Sequence, residues 1–302
     1  MGEILETLYS VVWGVPTLVL ILGVGLYLSV RTGFVQLRLF PEACRDFWKR
    51  LTTRNTAEGV SPFQALCTAL AATVGTGNLA GVAGAMAIGG AGAIFWMWIC
   101  ALLGMVTKLA EAVLAVRYRV CQDGEYLAGP MYIISRGMGK KFAWLGGVYC
   151  FFGVVAAFGV GNATQINAVI TGINGCILSF GGVPTRCSDI MIGIALSVLV
   201  LMLLLGGAKR IGKVTELLVP FAAVAYLLLG TLVLILRVDA IPHALSSIVQ
   251  GAFSPRAVTG GVIGSFLTTM RVGVSRGVFT NEAGMGTAAI AHGSAAVAHP
   301  VE

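Results

Sequence analysis

The sequence predicts an all-α polytopic membrane protein, and three observations carry that prediction. Of the 302 residues, 57% are apolar and only 11% are charged, whereas a soluble domain has about 25% charged residues. The mean hydropathy is +0.89. Several charge-free stretches reach the ~20 apolar residues that a helix needs to cross a bilayer. This composition excludes a soluble enzyme, a nucleic-acid-binding protein and a disordered scaffold.

Seven membrane-spanning helices are predicted from the positions of the apolar stretches. The run from residue 59 to residue 107 carries no charge over 49 residues, which is enough for two spans that turn at the glycine-rich segment 88–92. The last stretch differs from the others because Arg271 and Arg276 lie in its second half. The predicted spans are 11–30, two within 59–107, 142–173, 190–207, 217–236 and 258–280.

The basic residues predict the orientation of these spans. Cytoplasmic segments of membrane proteins carry an excess of Lys and Arg. With the N-terminus outside, 17 of the 20 basic residues fall in cytoplasmic segments, and three fall outside. We therefore expect a multi-pass protein of the inner (plasma) membrane with an outer N-terminus and a cytoplasmic C-terminus. The same distribution accounts for the pI near 9.2 without a nucleic-acid partner.

The second predicted span contains a segment that is unsuited to a continuous helix. Thr73, Gly75, Thr76, Gly77 and Asn78 lie close together in it, and each glycine costs a helix up to ~1 kcal/mol relative to alanine. Irregular backbone at membrane depth is found where it is buried in protein or lines a cavity. The segment therefore predicts a broken helix, a feature of transport sites. The alternative is close helix packing through small residues.

The fourth predicted span carries uncharged amides in its outer half. At 100° per residue, Asn162 and Gln165 share one helix face, whereas Asn167 lies off that face. Such a face orients a small zwitterion without burying a net charge. Hydrogen bonding between helices explains the same residues equally well, so both interpretations stay open.

A third unusual segment, 259–269, mixes Gly, Thr and Ser within the seventh predicted span. We expect a second helix break there, near Phe266. Two interrupted spans in separate parts of a chain indicate a transport site.

The remaining polar residues suggest no catalysis. Lys108 and Glu111 are three residues apart and close enough to pair, and Glu216 begins the sixth span. Both glutamates are interpreted as interfacial anchors or gate-side pairs, with a proton relay as the alternative. Cys176 and Cys187 share an outer loop, where they either form a disulfide or stay unpaired. Without a nucleophile–base pair or a histidine cluster in the sequence, we do not expect an enzyme.

Several motifs resemble those of the alanine/glycine:cation symporters, the sodium:alanine symporter family. They are the segments 75–81, 129–132 and 276–286, together with Asn162 and Gln165. The resemblance covers essentially the whole chain. It implies a LeuT-type inverted-repeat fold, with an extra N-terminal helix and basic loop at 1–58, a first five-helix repeat at 59–238 and the start of a second repeat at 239–302. Because family members continue for several more spans, the resemblance also implies C-terminal truncation and an incomplete second repeat.

The resemblance also implies a function and a set of site residues. It implies a secondary active transporter that takes up alanine or glycine with Na⁺ as coupling ion and without a cofactor, in contact with membrane lipid. The alternative is a non-transporting fragment or a membrane subunit. The choices between alanine and glycine and between Na⁺ and H⁺ stay open. The implied substrate-binding residues are Thr73, Gly75, Thr76, Gly77, Asn78, Gln165, Phe266, Thr268 and Thr269, and the backbone carbonyls of Ala71 and Val74 are implied as part of a sodium site.

Overall fold

The computed structural model describes residue 7 and residues 11–52, 60–122, 124–253, 261–297 and 299–300. This part of the chain is almost entirely helical, as the sequence predicts, and also holds one antiparallel hairpin of β1 (Val120–Gln122) and β2 (Glu125–Leu127). The α-helices are α1 (Val15–Arg31), α2 (Val35–Arg38), α3 (Phe40–Thr52), α4 (Pro62–Thr73), α5 (Ala80–Gly89), α6 (Gly92–Tyr118), α7 (Pro130–Ile133), α8 (Ala143–Ala156), α9 (Thr164–Ser179), α10 (Arg186–Leu204), α11 (Gly207–Leu236), α12 (Ile241–Phe253), α13 (Gly261–Asn281) and α14 (Thr287–Gly293).

The second predicted span is a broken helix, and the prediction of a break there is confirmed. A capping box between Ser61 and Gln64 starts α4, because each side chain accepts a hydrogen bond from the other residue's backbone amide. A single 3₁₀ turn, Thr76–Asn78, separates α4 from α5. The two halves meet at an angle of 58°. The predicted turn at 88–92 is also found, since α5 ends at Gly89 and α6 begins at Gly92.

The long helix α6 is the centre of the packing. α13 lies along it, and glycines on α13 allow the close approach: a β-carbon on Gly277 would lie 2.8 Å from Cβ of Cys100. A core cluster of Leu18, Cys100, Val274 and Val278 joins α1, α6 and α13. Near the end of α6, the Arg119 guanidinium donates to the carbonyl of Ala295 at 2.6 Å. The chain just after α14 is therefore held against α6.

The break expected in the seventh span is in a different place. From residue 261 onward α13 is continuous to Asn281, so the expected break near Phe266 is wrong; residues 259–260 lie outside the described part. The chain is interrupted instead at 282–286, before α14. Glu282, Gly284 and Gly286 have φ of +53°, +87° and +80° there, and positive φ ends a right-handed helix. The small residues of α13 serve packing against α6 rather than a break.

The described helices agree with an all-α polytopic membrane protein. Four are long and apolar enough to cross a bilayer, namely Gly92–Tyr118, Lys140–Ser179, Arg186–Leu204 and Arg210–Leu236, and the bent pair α4–α5 makes a fifth. α1 is apolar but has 17 residues. The total of seven spans, the LeuT-type fold and the domain boundaries at 58 and 238 stay predictions. Cys176 and Cys187 are both free thiols, so they form no disulfide.

Candidate functional site

The break between α4 and α5 exposes backbone groups of both polarities. The amide of Val74 donates to Leu70 at 2.7 Å, and Asn78 donates to Gly75 at 3.1 Å. Between these two bonds the helical ladder is interrupted. Within the described part of the chain, the amides of Gly75 and Gly77 have no hydrogen-bond partner outside the helical ladder. The same holds for the carbonyls of Ala71, Ala72 and Val74, whereas that of Thr73 accepts from Asn78. The break therefore offers N–H donors to an anion and C=O oxygens to a cation.

Gln165 reaches this break from α9. Its Oε1 accepts a hydrogen bond from the backbone amide of Thr76 at 3.4 Å. A β-carbon on Gly75 would lie 3.3 Å from both Oε1 and Nε2 of Gln165, so glycine lets the amide side chain approach the backbone closely. The structure thus brings Gln165 together with the segment 75–78, two parts of the chain that the family resemblance alone linked.

Asn78 and Thr73 also lie at the break. The Asn78 side-chain amide donates to the carbonyl of Thr73 at 3.4 Å, while its Oδ1 is buried without a hydrogen-bond partner in the described part of the chain. A buried acceptor without a partner is uncommon and costs free energy. The Thr73 hydroxyl donates back to Ala69 at 2.8 Å, within its own helix. Asn78 is therefore the side chain with an unused acceptor at this point.

The C-terminal end of α13 packs directly on the break. The ring of Phe279 lies so close to Gly77 that a β-carbon there would be 2.9 Å from Cδ1. The Thr280 hydroxyl lies 2.7 Å from the carbonyl of Arg276 and 3.3 Å from that of Gly77. The two interruptions of the chain, at 74–79 and 282–286, are consequently neighbours.

Sequence reasoning missed Phe279 and Thr280 as site residues. The segment 276–286 was recognised only as a family motif. Gly284 and Gly286, two residues apart and just after a span-length apolar stretch, are the signal that could have located the second interruption.

Three predicted pocket residues lie elsewhere. Phe266 stacks edge-to-face on Trp96 with centroids 5.7 Å apart, and the Thr269 hydroxyl donates to the carbonyl of Gly89 at 2.9 Å. Thr268 is exposed on the same helix. Thr269 precedes Thr280 by eleven residues, a distance of ~16 Å along a helix. Because α13 is continuous, the structure does not bring these three residues to the break.

Asn162 also differs from its prediction. The segment Ala157–Ala163 is a π-helix, so the 100° spacing that placed Asn162 beside Gln165 does not hold there. The Asn162 side chain donates to the carbonyl of Ala157, five residues earlier, at 2.9 Å. It satisfies a local backbone acceptor rather than contributing to the break.

The second interruption is held by side chains from three elements. Glu111 Oε1 on α6 accepts from the amide of Gly284 at 2.6 Å. The Tyr149 hydroxyl on α8 donates to the carbonyl of Met285 at 3.2 Å. Glu282 Oε2 accepts from the hydroxyl of Thr287 at 2.6 Å, at the start of α14. These bonds fix an irregular segment that has no helical ladder of its own.

The expected pair of Lys108 and Glu111 is not formed. Lys108 Nζ and Glu111 Oε2 are both buried and have no hydrogen-bond partner in the described part of the chain, while Glu111 Oε1 turns to the 282–286 segment. Glu216 accepts from Gln64 at 2.9 Å and so ties the start of α4 to α11. Glu216 thus links two helices through a side-chain hydrogen bond, and its role as an interfacial anchor or gate-side pair stays a prediction.

Comparison with known proteins gives a consistent result. The sequence profile of the Sodium:alanine symporter family matches residues 1–302. The sodium/alanine symporter AgcS of Methanococcus maripaludis is 44% identical over 304 residues, covering 99% of this chain and 64% of the relative. A putative sodium/proton-dependent alanine carrier protein, YrbD of Bacillus subtilis, is 36% identical and covers 100% and 59%.

Another similar protein is named for a different substrate. The probable sodium/glutamine symporter GlnT of Bacillus subtilis is 35% identical, covering 100% of this chain and 61% of the relative. This chain therefore spans about three fifths of the length of these three relatives.

Proposed function

The chain belongs to the sodium:alanine symporter family, and from that premise we propose that it serves the sodium-coupled uptake of a small neutral amino acid. The observation that carries this proposal is the break at 74–79, where backbone donors and acceptors without partners in the described residues lie beside Gln165. Alanine is the first candidate because AgcS is named a sodium/alanine symporter. Glycine is the second, because it has the same charged groups and a smaller volume.

The substrate carboxylate is proposed to bind the amides of Gly75 and Gly77. These N–H groups donate to no partner among the described residues, and the dipoles of free backbone amides favour an anion. Gln165 Oε1 accepts from the backbone amide of Thr76 at 3.4 Å, which is a long hydrogen bond. A carboxylate is a stronger acceptor and takes over that donor, while the Gln165 amide nitrogen then donates to the carboxylate.

The substrate ammonium is proposed to bind Asn78 Oδ1. This oxygen is buried and has no partner among the described residues, so an ammonium group would satisfy it. Neutral oxygens suit this role because the zwitterion as a whole has no net charge to balance.

Sodium is proposed to bind the backbone carbonyls of Ala71 and Val74 on the other side of the break. Hard monovalent and divalent cations take oxygen ligands, and these carbonyls have no donor outside the helical ladder in the described part of the chain. Transport then requires one helix bundle to rock around the site. Each positive charge that moves inward gains ~2.3 kcal/mol per 100 mV of membrane potential.

The experiment is uptake of labelled alanine by proteoliposomes that contain the 302-residue chain. An inward sodium gradient should drive accumulation, whereas an equal potassium gradient should not. A proton gradient without sodium separates the two coupling ions. Equal uptake in sodium and potassium would refute the coupling, and uptake that Gln165→Ala leaves unchanged would refute the site.

A further inference from the structure

Helix α3 presents an exposed apolar face. At 100° per residue, Phe40, Cys44 and Phe47 fall within about 60° of one another, and Trp48 lies beside them. Phe40 is 53% exposed, Phe47 41% and Trp48 67%. Large aromatic side chains in this arrangement are typical of a helix that lies in a membrane interface.

The opposite face of α3 is charged. Glu42, Arg45, Asp46 and Lys49 all lie on it. Together with Arg31 and Arg38, the described segment 31–49 holds four basic and two acidic residues. Basic residues beside a membrane span are attracted to anionic lipid headgroups. Within residues 40–49 of α3 the two acidic and two basic residues balance, and the net charge of +2 over the segment 31–49 comes from Arg31 and Arg38, which precede α3. The segment thus combines an apolar helix face with a net positive charge.

Two buried hydrogen bonds hold the segment between α1 and α3 in place. The Gln36 side chain donates to the hydroxyl of Ser29 at 2.8 Å, and Ser29 donates to the carbonyl of Gly25 at 2.8 Å, inside α1. Both side chains are buried. Phe34, with φ of +52°, lies between α1 and α2, and positive φ ends a right-handed helix. α3 therefore begins nine residues after the apolar helix α1 ends, with only the short helix α2 between them.

We propose that α3 lies in the interface of the bilayer and binds anionic phospholipid. Phe40, Phe47 and Trp48 insert at the boundary of the acyl chains, and Arg45 and Lys49 contact lipid phosphates. Charge complementarity and continuity with α1 identify lipid as the occupant of this face. This inference is independent of the transported substrate, since α3 contributes no residue to the break at 74–79.

The first test measures the depth of each face in the whole 302-residue chain. An environment-sensitive fluorophore is attached to Cys44 after C121S, C150A, C176S and C187S remove the other accessible thiols. The matched control moves the label to the charged face with E42C and C44S. Nanodiscs contain phosphatidylcholine and phosphatidylglycerol, and the quenchers are doxyl-labelled lipid and aqueous iodide.

The Cys44 label should be quenched about threefold more by doxyl lipid than the Glu42→Cys label, with the reverse order for iodide. Equal lipid quenching of the two labels would overturn the proposal. Protection of the Cys44 label from both quenchers would also overturn it, because protein would then cover the apolar face.

The second test concerns the headgroup. Doxyl-labelled phosphatidylglycerol should quench the Cys44 label about threefold more than doxyl-labelled phosphatidylcholine, and the double variant R45Q/K49Q should reduce that ratio to about one. R186Q, on the exposed start of α10, is the matched control and should leave the ratio unchanged. A ratio that does not respond to R45Q/K49Q would contradict recognition of anionic lipid. Unchanged thermal unfolding of both variants shows that they fold.

Discussion

The carboxylate of Glu111 accepts a hydrogen bond from the backbone amide of Gly284 at 2.6 Å, across 173 residues of sequence. This bond joins the long helix α6 to the irregular segment 282–286. That segment follows Phe279 and Thr280, which pack on the break between α4 and α5. The contact therefore fixes the second interruption to α6, while Phe279 and Thr280 bring the end of α13 to the first.

Glu111→Gln should loosen the 282–286 segment. A hydrogen bond to a charged group contributes about 1.5–3 kcal/mol, and the neutral amide keeps the shape but loses the charge. We expect faster amide hydrogen exchange at 283–287 and a free energy of unfolding lowered by about 2 kcal/mol.

Glu125→Gln is the matched control, since Glu125 is exposed on the hairpin. It should change neither measurement. Exchange at 283–287 that is the same in wild type and Glu111→Gln would show that the bond does not hold this segment.

Gly77→Ala should disrupt the break. The added methyl group would lie 2.9 Å from the Phe279 ring, so either the ring or the backbone must move. We expect alanine affinity to fall by at least about tenfold. Gly81→Ala is the matched control, because a β-carbon on Gly81 meets nothing within 4 Å; it should keep the affinity within about twofold and gain helix propensity.

The collision can be tested by a double-mutant cycle. Phe279→Ala in the Gly77→Ala background should recover part of the lost affinity, because the two residues are in contact. Additive losses in the double variant would show that Phe279 is not the residue with which the methyl group collides.

Gln165→Ala should weaken alanine binding far more than Asn167→Ala. Both substitutions remove an amide from α9, but only Gln165 contacts the break. Loss of one charge-assisted hydrogen bond corresponds to about 2 kcal/mol, or about 30-fold in affinity. Equilibrium binding of labelled alanine in sodium measures this ratio. Similar losses for the two variants would place the substrate away from Gln165.

Much of the helix layout could be predicted because a helix that spans a membrane needs a long stretch of apolar residues. Charged residues bracket the apolar stretches, and the Gly-Thr-Asn cluster at 73–78 is too poor a helix former to be continuous. Composition alone could not separate a break from close packing, however. The Gly, Ser and Thr residues of α13 resemble those of the break between α4 and α5. On α13, however, the lack of a side chain at Gly277 lets the helix pack closely against Cys100.

Contacts between residues far apart in the chain could not be predicted from the sequence. The spacing of Lys108 and Glu111 suggested a local pair, whereas the Glu111 carboxylate faces an amide 173 residues away. The prediction that Asn162 and Gln165 share a helix face assumed 3.6 residues per turn. That spacing does not hold in the π-helix at Ala157–Ala163.

The most direct measurement is the equilibrium affinity of the 302-residue chain in nanodiscs for labelled alanine, with sodium and with potassium. If the break at 74–79 holds both ligands, sodium should tighten alanine binding, and alanine should tighten sodium binding by the same factor, since such coupling is reciprocal. Gln165→Ala should weaken alanine binding in sodium about 30-fold, the loss expected for one charge-assisted hydrogen bond. Alanine affinity that is identical in sodium and potassium would contradict the account.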